Sequence, residues 1–155
     1  MRSSRLWTER LGTEERGSAS LEFIVTGLIL LVPLVYLVLA VSAVQGASLA
    51  VEGAARQASR VFVQAGSTGE ASAAAARAVE VTLAVYGLDA SDATVSIACR
   101  PDPSACLTHR GFVTVSVQVT VPLPLVPPAL DIAVPAGVPI QAVATEQVSR
   151  FAGGR

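Results

Sequence analysis

The chain contains no lysine, one histidine and two cysteines, and over its 155 positions only 15% of residues are charged and 5% aromatic. Each shortage excludes something. A soluble domain carries charge on roughly a quarter of its residues, so a chain this poor in charge either has a membrane-embedded part or exposes an unusually apolar surface. With 11 basic residues, all arginine, against 12 acidic ones and a net charge of -1, no window gathers the basic stripe that nucleic-acid binding requires. DNA and RNA are not expected partners. The lack of lysine has no physical explanation in the sequence. What is abundant is apolar surface, 52% hydrophobic residues with mean hydropathy +0.57, which excludes disorder as a description of the whole chain.

The apolar excess concentrates between Phe23 and Val44, a stretch without a single charge. As a helix rising about 1.5 Å per residue it covers about 33 Å, enough for a hydrocarbon core of about 30 Å. A core helix of a soluble domain normally keeps a polar face, and this one has none. The segment therefore reads as transmembrane. Arg2, Arg5, Arg10 and Arg16 precede it and the next arginine is Arg56, so the N-terminus is expected in the cytoplasm and the C-terminal bulk outside. Pro33 lies inside the span and predicts a kink, which a membrane helix tolerates. Val41-Ser42-Ala43 resembles a signal-peptidase site, but the apolar stretch is longer than a signal-peptide core of about 7 to 15 residues.

Beyond the span, Val51, Ala54, Ala55, Ala58, Val61 and Phe62 recur at helical spacing and Glu52 and Arg56 form an i,i+4 pair, so the helix is expected to continue to a stop at Gly66. Ser67 and Glu70 have capping-box spacing. A second helix is expected from near Thr68 to Gly87, with Ala74, Ala78, Val81 and Val85 on its buried face. From Ala93 the period becomes two. Val95 and Ile97 alternate with Thr94 and Ser96, and five valines from Val113 to Val121 alternate with polar residues, which predicts half-buried strands. Pro122 to Pro139 holds six prolines and is expected to be an irregular loop, followed by a last strand from Ile140 to about Val148.

Few residues are placed to carry chemistry. Cys99 and Cys106 enclose the loop CRPDPSAC, and in an extracytoplasmic domain such a pair is expected to form a disulfide closing a hairpin loop. A Cys-Cys-His metal site with His109 would need a fourth ligand that is not evident nearby, and two free thiols are the remaining alternative. Asp89 and Asp92 flank a turn, where aspartates bond to the backbone. No nucleophile–base pair and no glycine-rich phosphate loop occurs, so neither catalysis nor a cofactor is expected.

The informative residues lie at the membrane edge. Glu22 immediately precedes the apolar span, where an unpaired carboxylate is costly unless it reaches the interface or finds a partner. Interfacial snorkelling satisfies it. So does a cut after Gly17, which would place a new amino group on Ser18, four residues from Glu22 on the same helix face. Ser42, Gly46, Ala50, Ala54 and Ala58 form a ridge of small residues that lets another helix approach closely. Ala54 and Ala58 could seat the chain's own second helix; Ser42 and Gly46, nearer the membrane, are expected to face a partner subunit.

Arg16-Gly17, Glu22-Phe23, the span with Pro33, Gln45 and the small-rich stretch with Ala54-Ala55-Arg56 resemble the TadE-like pilus assembly family of bacteria, over roughly residues 16 to 65. The resemblance implies a minor pseudopilin of a tight-adherence (Flp) type IV pilus or related secretion apparatus, without catalytic activity. It implies that Gly17 precedes a prepilin-peptidase cut, that Ser18 is the first mature residue, and that Glu22 serves processing and subunit docking. Phe23 stands where major pilins of this class often have tyrosine, which fits a minor subunit. The implied partners are the membrane, other pilins or pseudopilins, the pilus assembly platform and the prepilin peptidase. The expected architecture is α+β: a leader at 1–17, a transmembrane helix at 18–44, and an extracytoplasmic domain at 45–155 with a second helix and a small antiparallel sheet. An uncleaved single-pass protein displaying a binding or adhesion module shares this topology and remains the alternative.

Overall fold

A computed structural model of the chain describes residues 11–124 and 137–151. The fold is α+β. Helix α1 spans Leu11–Gln64, α2 spans Thr68–Val85, a single 3-10 turn spans Ala90–Asp92, and the strands are β1 (Ala93–Arg100), β2 (Phe112–Pro122) and β3 (Gly137–Gln147). The chain divides into two compact units, Met1–Ala40 and Val41–Arg155.

In the first unit α1 carries the apolar run. The helix passes through Pro33 without a break. From Leu21 to Leu39 every large aliphatic side chain is exposed, so among the described residues no protein surface covers this apolar run. The helix is long and apolar enough to cross a membrane.

In the second unit the same helix changes character. Ala47, Ala50, Val51, Ala54, Ala55, Ala58 and Phe62 are buried, a stripe at three- and four-residue steps that marks one face of a helix. Ser59 is the buried polar member of this face and donates its hydroxyl to the Arg56 carbonyl at 3.0 Å. On the opposite face Glu52 and Arg56 form the expected i,i+4 ion pair. Both are exposed, so the pair contributes at most about 0.5 kcal/mol.

The helix ends at Gln64, two residues before Gly66. The expected glycine stop needs correction in mechanism: Gly66 does not take the left-handed conformation, and Gly87 is the glycine that does, at φ 71°. Ser67 caps α2 as its spacing predicts, its side chain accepting from the Glu70 N–H at 3.3 Å. At the other end the Leu88 N–H donates to the Leu83 carbonyl (3.1 Å) and the Gly87 N–H to the Ala84 carbonyl (3.0 Å), the two bonds of a Schellman motif. Only glycine holds the left-handed position between them without strain.

The buried face of α2 differs from expectation. Ala71, Ala75, Val79 and Leu83 are buried, Ala74 and Ala78 are half-buried, and Val81 and Val85 are exposed. The reason is composition. Alanine and valine occur on several sides of this helix, but Glu70, Arg77 and Glu80 share one exposed face, and the buried residues lie opposite it.

The sheet is an antiparallel meander in the order β1-β2-β3. Val113, Val115, Val117, Val119 and Val121 all point into the core, and their partners on β3 are Glu146, Ala144, Ala142, Ile140 and Val138. Four of these, Val138, Ile140, Ala142 and Ala144, are only half-buried, because β3 is an edge strand. The same holds more strongly for β1. Its inward-facing Val95 and Ile97 remain exposed and only Cys99 is buried. The outward face is polar, with Thr114 bonded to Thr145 (2.9 Å) and Gln141 donating to Ser116 (2.8 Å) across strands.

The proline-rich segment is shorter than expected as a loop. Pro122 ends β2 and pairs with Gly137, and Pro139 sits in β3 opposite Thr120. A proline is tolerated there because an edge strand has one side without ladder bonds. The remainder of the expected loop, 125–136, lies outside the described residues. At its far end β3 is prolonged to Val148, which exchanges backbone bonds with Arg110 and Gly111 at 3.1 and 2.8 Å.

Candidate functional site

The sequence-predicted residues fall into three places. The first is the head of α1. Gly17 and Ser18 lie within the helix, followed by Glu22 and Phe23, both exposed. A residue at position 18 is one turn from position 22, so helix geometry permits an amine at Ser18 to meet the Glu22 carboxylate. Among the described residues no ion pair involves Glu22; the pair that occurs joins Glu52 and Arg56. Phe23 is the most exposed large side chain of this stretch, at 79%.

The second place is the small-residue ridge, which divides in two. Ala50, Ala54 and Ala58 have no exposed surface and belong to the core shared with α2 and the sheet. Gly46 is half-buried and Ser42 exposed, and a side chain built at Gly46 would meet nothing within 4 Å. Alanines permit close approach of α2, and one contact fixes where it lies: a Cβ at Gly53 would stand 3.5 Å from the Thr82 methyl.

The third place is the β1–β2 connection, where Cys99 and Cys106 are joined in a disulfide with Cα atoms 5.0 Å apart. The loop between them is held from inside. The Asp102 carboxylate accepts from the Ser104 N–H (2.8 Å) and hydroxyl (2.7 Å), and these bonds, the hydroxyl first, hold its pKa below the ordinary 3.8. Gly111 closes the connection. A Cβ there would come within 2.9 Å of the Thr108 carbonyl oxygen and 3.1 Å of that of Arg100, both backbone atoms. His109 is an exposed loop residue, and no group of three metal-ligating side chains occurs among the described residues.

Asp89 behaves as turn aspartates do. Its carboxylate accepts from the Ser91 N–H at 2.8 Å and caps the 3-10 turn, which lowers its pKa from 3.8.

Sequence reasoning missed two features. One is the Asp102-Ser104 bond, which the D-x-S spacing could have signalled. The other is the exposure of Leu49, Val81, Val85 and Tyr86 in the second unit; for Val81 and Val85 the signal was their place away from the face opposite Glu70, Arg77 and Glu80. Compared with protein-family models, with curated proteins and with solved structures, the chain gives no match.

Proposed function

We propose that the chain is a minor, pseudopilin-like structural subunit of a tight-adherence (Flp) type IV pilus or related secretion apparatus, similar to TadE-like proteins and without a catalytic role. The observation that carries the reading is one helix, Leu11–Gln64, with Glu22 at the head of an uncharged apolar run whose large aliphatic side chains from Leu21 to Leu39 are all exposed, in a chain that also holds a separate α+β unit. A buried function for that run would require partners on all its sides, and a membrane or a bundle of like helices provides them. Glu22 then has a use. Cleavage after Gly17 exposes an amine on Ser18, which neutralises the carboxylate within the chain or between neighbours as the helices assemble.

The orientation follows from two independent features. Four arginines precede the span, which favours a cytoplasmic N-terminus. The Cys99–Cys106 bridge belongs to an oxidising compartment and therefore to the outer side. Partners on this reading are the membrane, other pilins or pseudopilins, the assembly platform and the prepilin peptidase.

The deciding experiment is N-terminal sequencing and intact mass of the chain recovered from the membrane of a host that holds the matching peptidase. The expected start is Ser18. A start at Met1 would make the chain an uncut, single-pass anchor for a binding or adhesion module, and a start at Val44 would make it a secreted domain. With Ser18 established, Glu22→Ala is expected to hinder incorporation into the filament while leaving the head folded.

A further inference from the structure

We infer that the free edge of β1 is a docking site for a second copy of this chain: two β1 strands pair antiparallel about Ser96 and join two three-stranded sheets into one. The inference concerns the second unit alone and does not depend on what surrounds the apolar run of α1.

The first observation is that the two edges of the sheet are built differently. A bare row of backbone N–H and C=O groups recruits another strand, and sheet edges are blunted against this by proline, a bulge, an inward-pointing charge or a covering segment. Strand β3 has two of these devices: Pro139 within the strand, and Glu146, whose partner Val113 faces the core. Strand β1 has none of them. Its eight residues pair one for one with β2 without a bulge, no proline or charge occurs from Ala93 to Cys99, and every residue from Thr94 to Ala98 is exposed.

The second observation is what this edge leaves uncovered. Val95 and Ile97 pair with the core residues Val117 and Val115 and lie on the same side of the sheet, yet they are 39% and 36% exposed. A strand added beside β1 carries the apolar layer onward and removes that area from water.

Charge selects the occupant. Asp92 and Arg100 stand at the two ends of β1, both exposed, and neither has an ion-pair partner among the described residues. In an antiparallel pair, positions equally far before and after the centre meet. With Ser96 at the centre, Val95 lies beside the second copy's Ile97 and Asp92 beside its Arg100, and the two-fold axis repeats both contacts. Antiparallel registers centred on Val95 or Ile97 part the two charges, and a parallel pairing in register sets like charges together. The strand is therefore complementary to itself in charge and in apolar pattern, which is what an interface between identical copies requires.

A pairing this short belongs to the weak class of interface, so the test traps it covalently, on the full chain in detergent micelles. Ser96→Cys puts a thiol at the centre, where facing Cα atoms are about 4.5 to 5.5 Å apart, within disulfide range. Thr94→Cys lies on the same face of the strand, but its two copies would stand about 14 Å apart. Each chain is mildly oxidised and run on a non-reducing gel, with far-UV circular dichroism and the retained Cys99–Cys106 bridge as the measure of folding. The expected result is a covalent dimer from Ser96→Cys and none from Thr94→Cys or the unaltered chain. Added to Ser96→Cys, either Asp92→Arg or Arg100→Asp should slow dimer formation by about tenfold, and the two reversals together should restore it. A folded Ser96→Cys chain that stays monomeric would overturn the inference. Equal cross-linking at Thr94→Cys would mean a parallel or unspecific contact and overturn it too, as would cross-linking at Ser96→Cys that neither charge reversal slows.

Discussion

Helix α1 offers two stretches of different composition and opposite burial. Between Leu21 and Leu39 it is built from leucine, isoleucine and valine, and all of them are exposed; between Ala47 and Phe62 it is built largely from alanine, and the alanines are covered completely. The difference teaches that a run with neither charge nor a polar face is left uncovered by the chain, whereas a stretch that sets small apolar residues on one side and Glu52, Arg56 and Arg60 on the other packs its small face into the core. The large aliphatics of the first stretch leave a wide apolar area uncovered. Alanines sacrifice area and allow backbone approach, which brings α2 close enough for Gly53 to face Thr82.

The comparison is broken most directly by equal truncations in the two stretches. Phe62→Ala removes a fully buried ring and is expected to destabilise the head by about 3–5 kcal/mol, whereas Leu31→Ala should leave head unfolding unchanged. Denaturant unfolding of the full chain in detergent micelles, followed by the head's near-UV signal, reads both. Equal losses from the two would mean that the exposed run is covered by the head after all.

A smaller effect sharpens the contrast in how the head is held. Its core is made of alanine and valine, with few large side chains, and the Cys99–Cys106 bridge compensates at the edge strand β1. For an eight-residue loop the chain-entropy argument gives about 2.5 kcal/mol. The double variant Cys99→Ala/Cys106→Ala should lose about that much, and reducing agent should lower the melting temperature of the native head while leaving the double variant alone.

Below that lies the helix cap. Ser67→Ala deletes the acceptor for the Glu70 N–H and is expected to cost about 1 kcal/mol, seen as a lower unfolding midpoint, while Ser42→Ala on the exposed stretch should move it little. Smallest is the response to acid. Asp89 and Asp102 are held below their ordinary pKa by bonds from Ser91 and Ser104. A depressed carboxylate stabilises the fold in full above the ordinary value, and that stabilisation is lost as pH falls through the lowered one. The melting temperature should therefore decline slightly in that acidic window, and Asp89→Asn together with Asp102→Asn should flatten the decline.

Much of the fold was legible because its signals are local. The Ser67 cap, the Glu52–Arg56 pair and the valine alternation from Val113 to Val121 each rest on residues within one or two turns or along one strand, and the structure has them where the spacing puts them. The ends of β3 were less clear, since Pro139 reads as a breaker until the strand is known to lie at an edge. The phase of α2 was written in its charges and not in its valines: Glu70, Arg77 and Glu80 share the face opposite Ala71, Ala75, Val79 and Leu83, whereas Val81 and Val85, apolar but uncovered, pointed to another.

The sequence by itself determined where α1 turns from uncovered large aliphatics to close alanine packing, because charge and side-chain size are written residue by residue along the helix. It also determined that Cys99 and Cys106 could meet, since they stand seven positions apart across a hairpin. Tertiary structure alone decided which apolar residues of the head remain uncovered. Val95, Ile97, Val81, Val85 and Tyr86 are as apolar as their buried neighbours, and they are exposed because β1 is an edge and α2 has only one face against the core. Burial is a property of what lies opposite, and no residue carries that information alone.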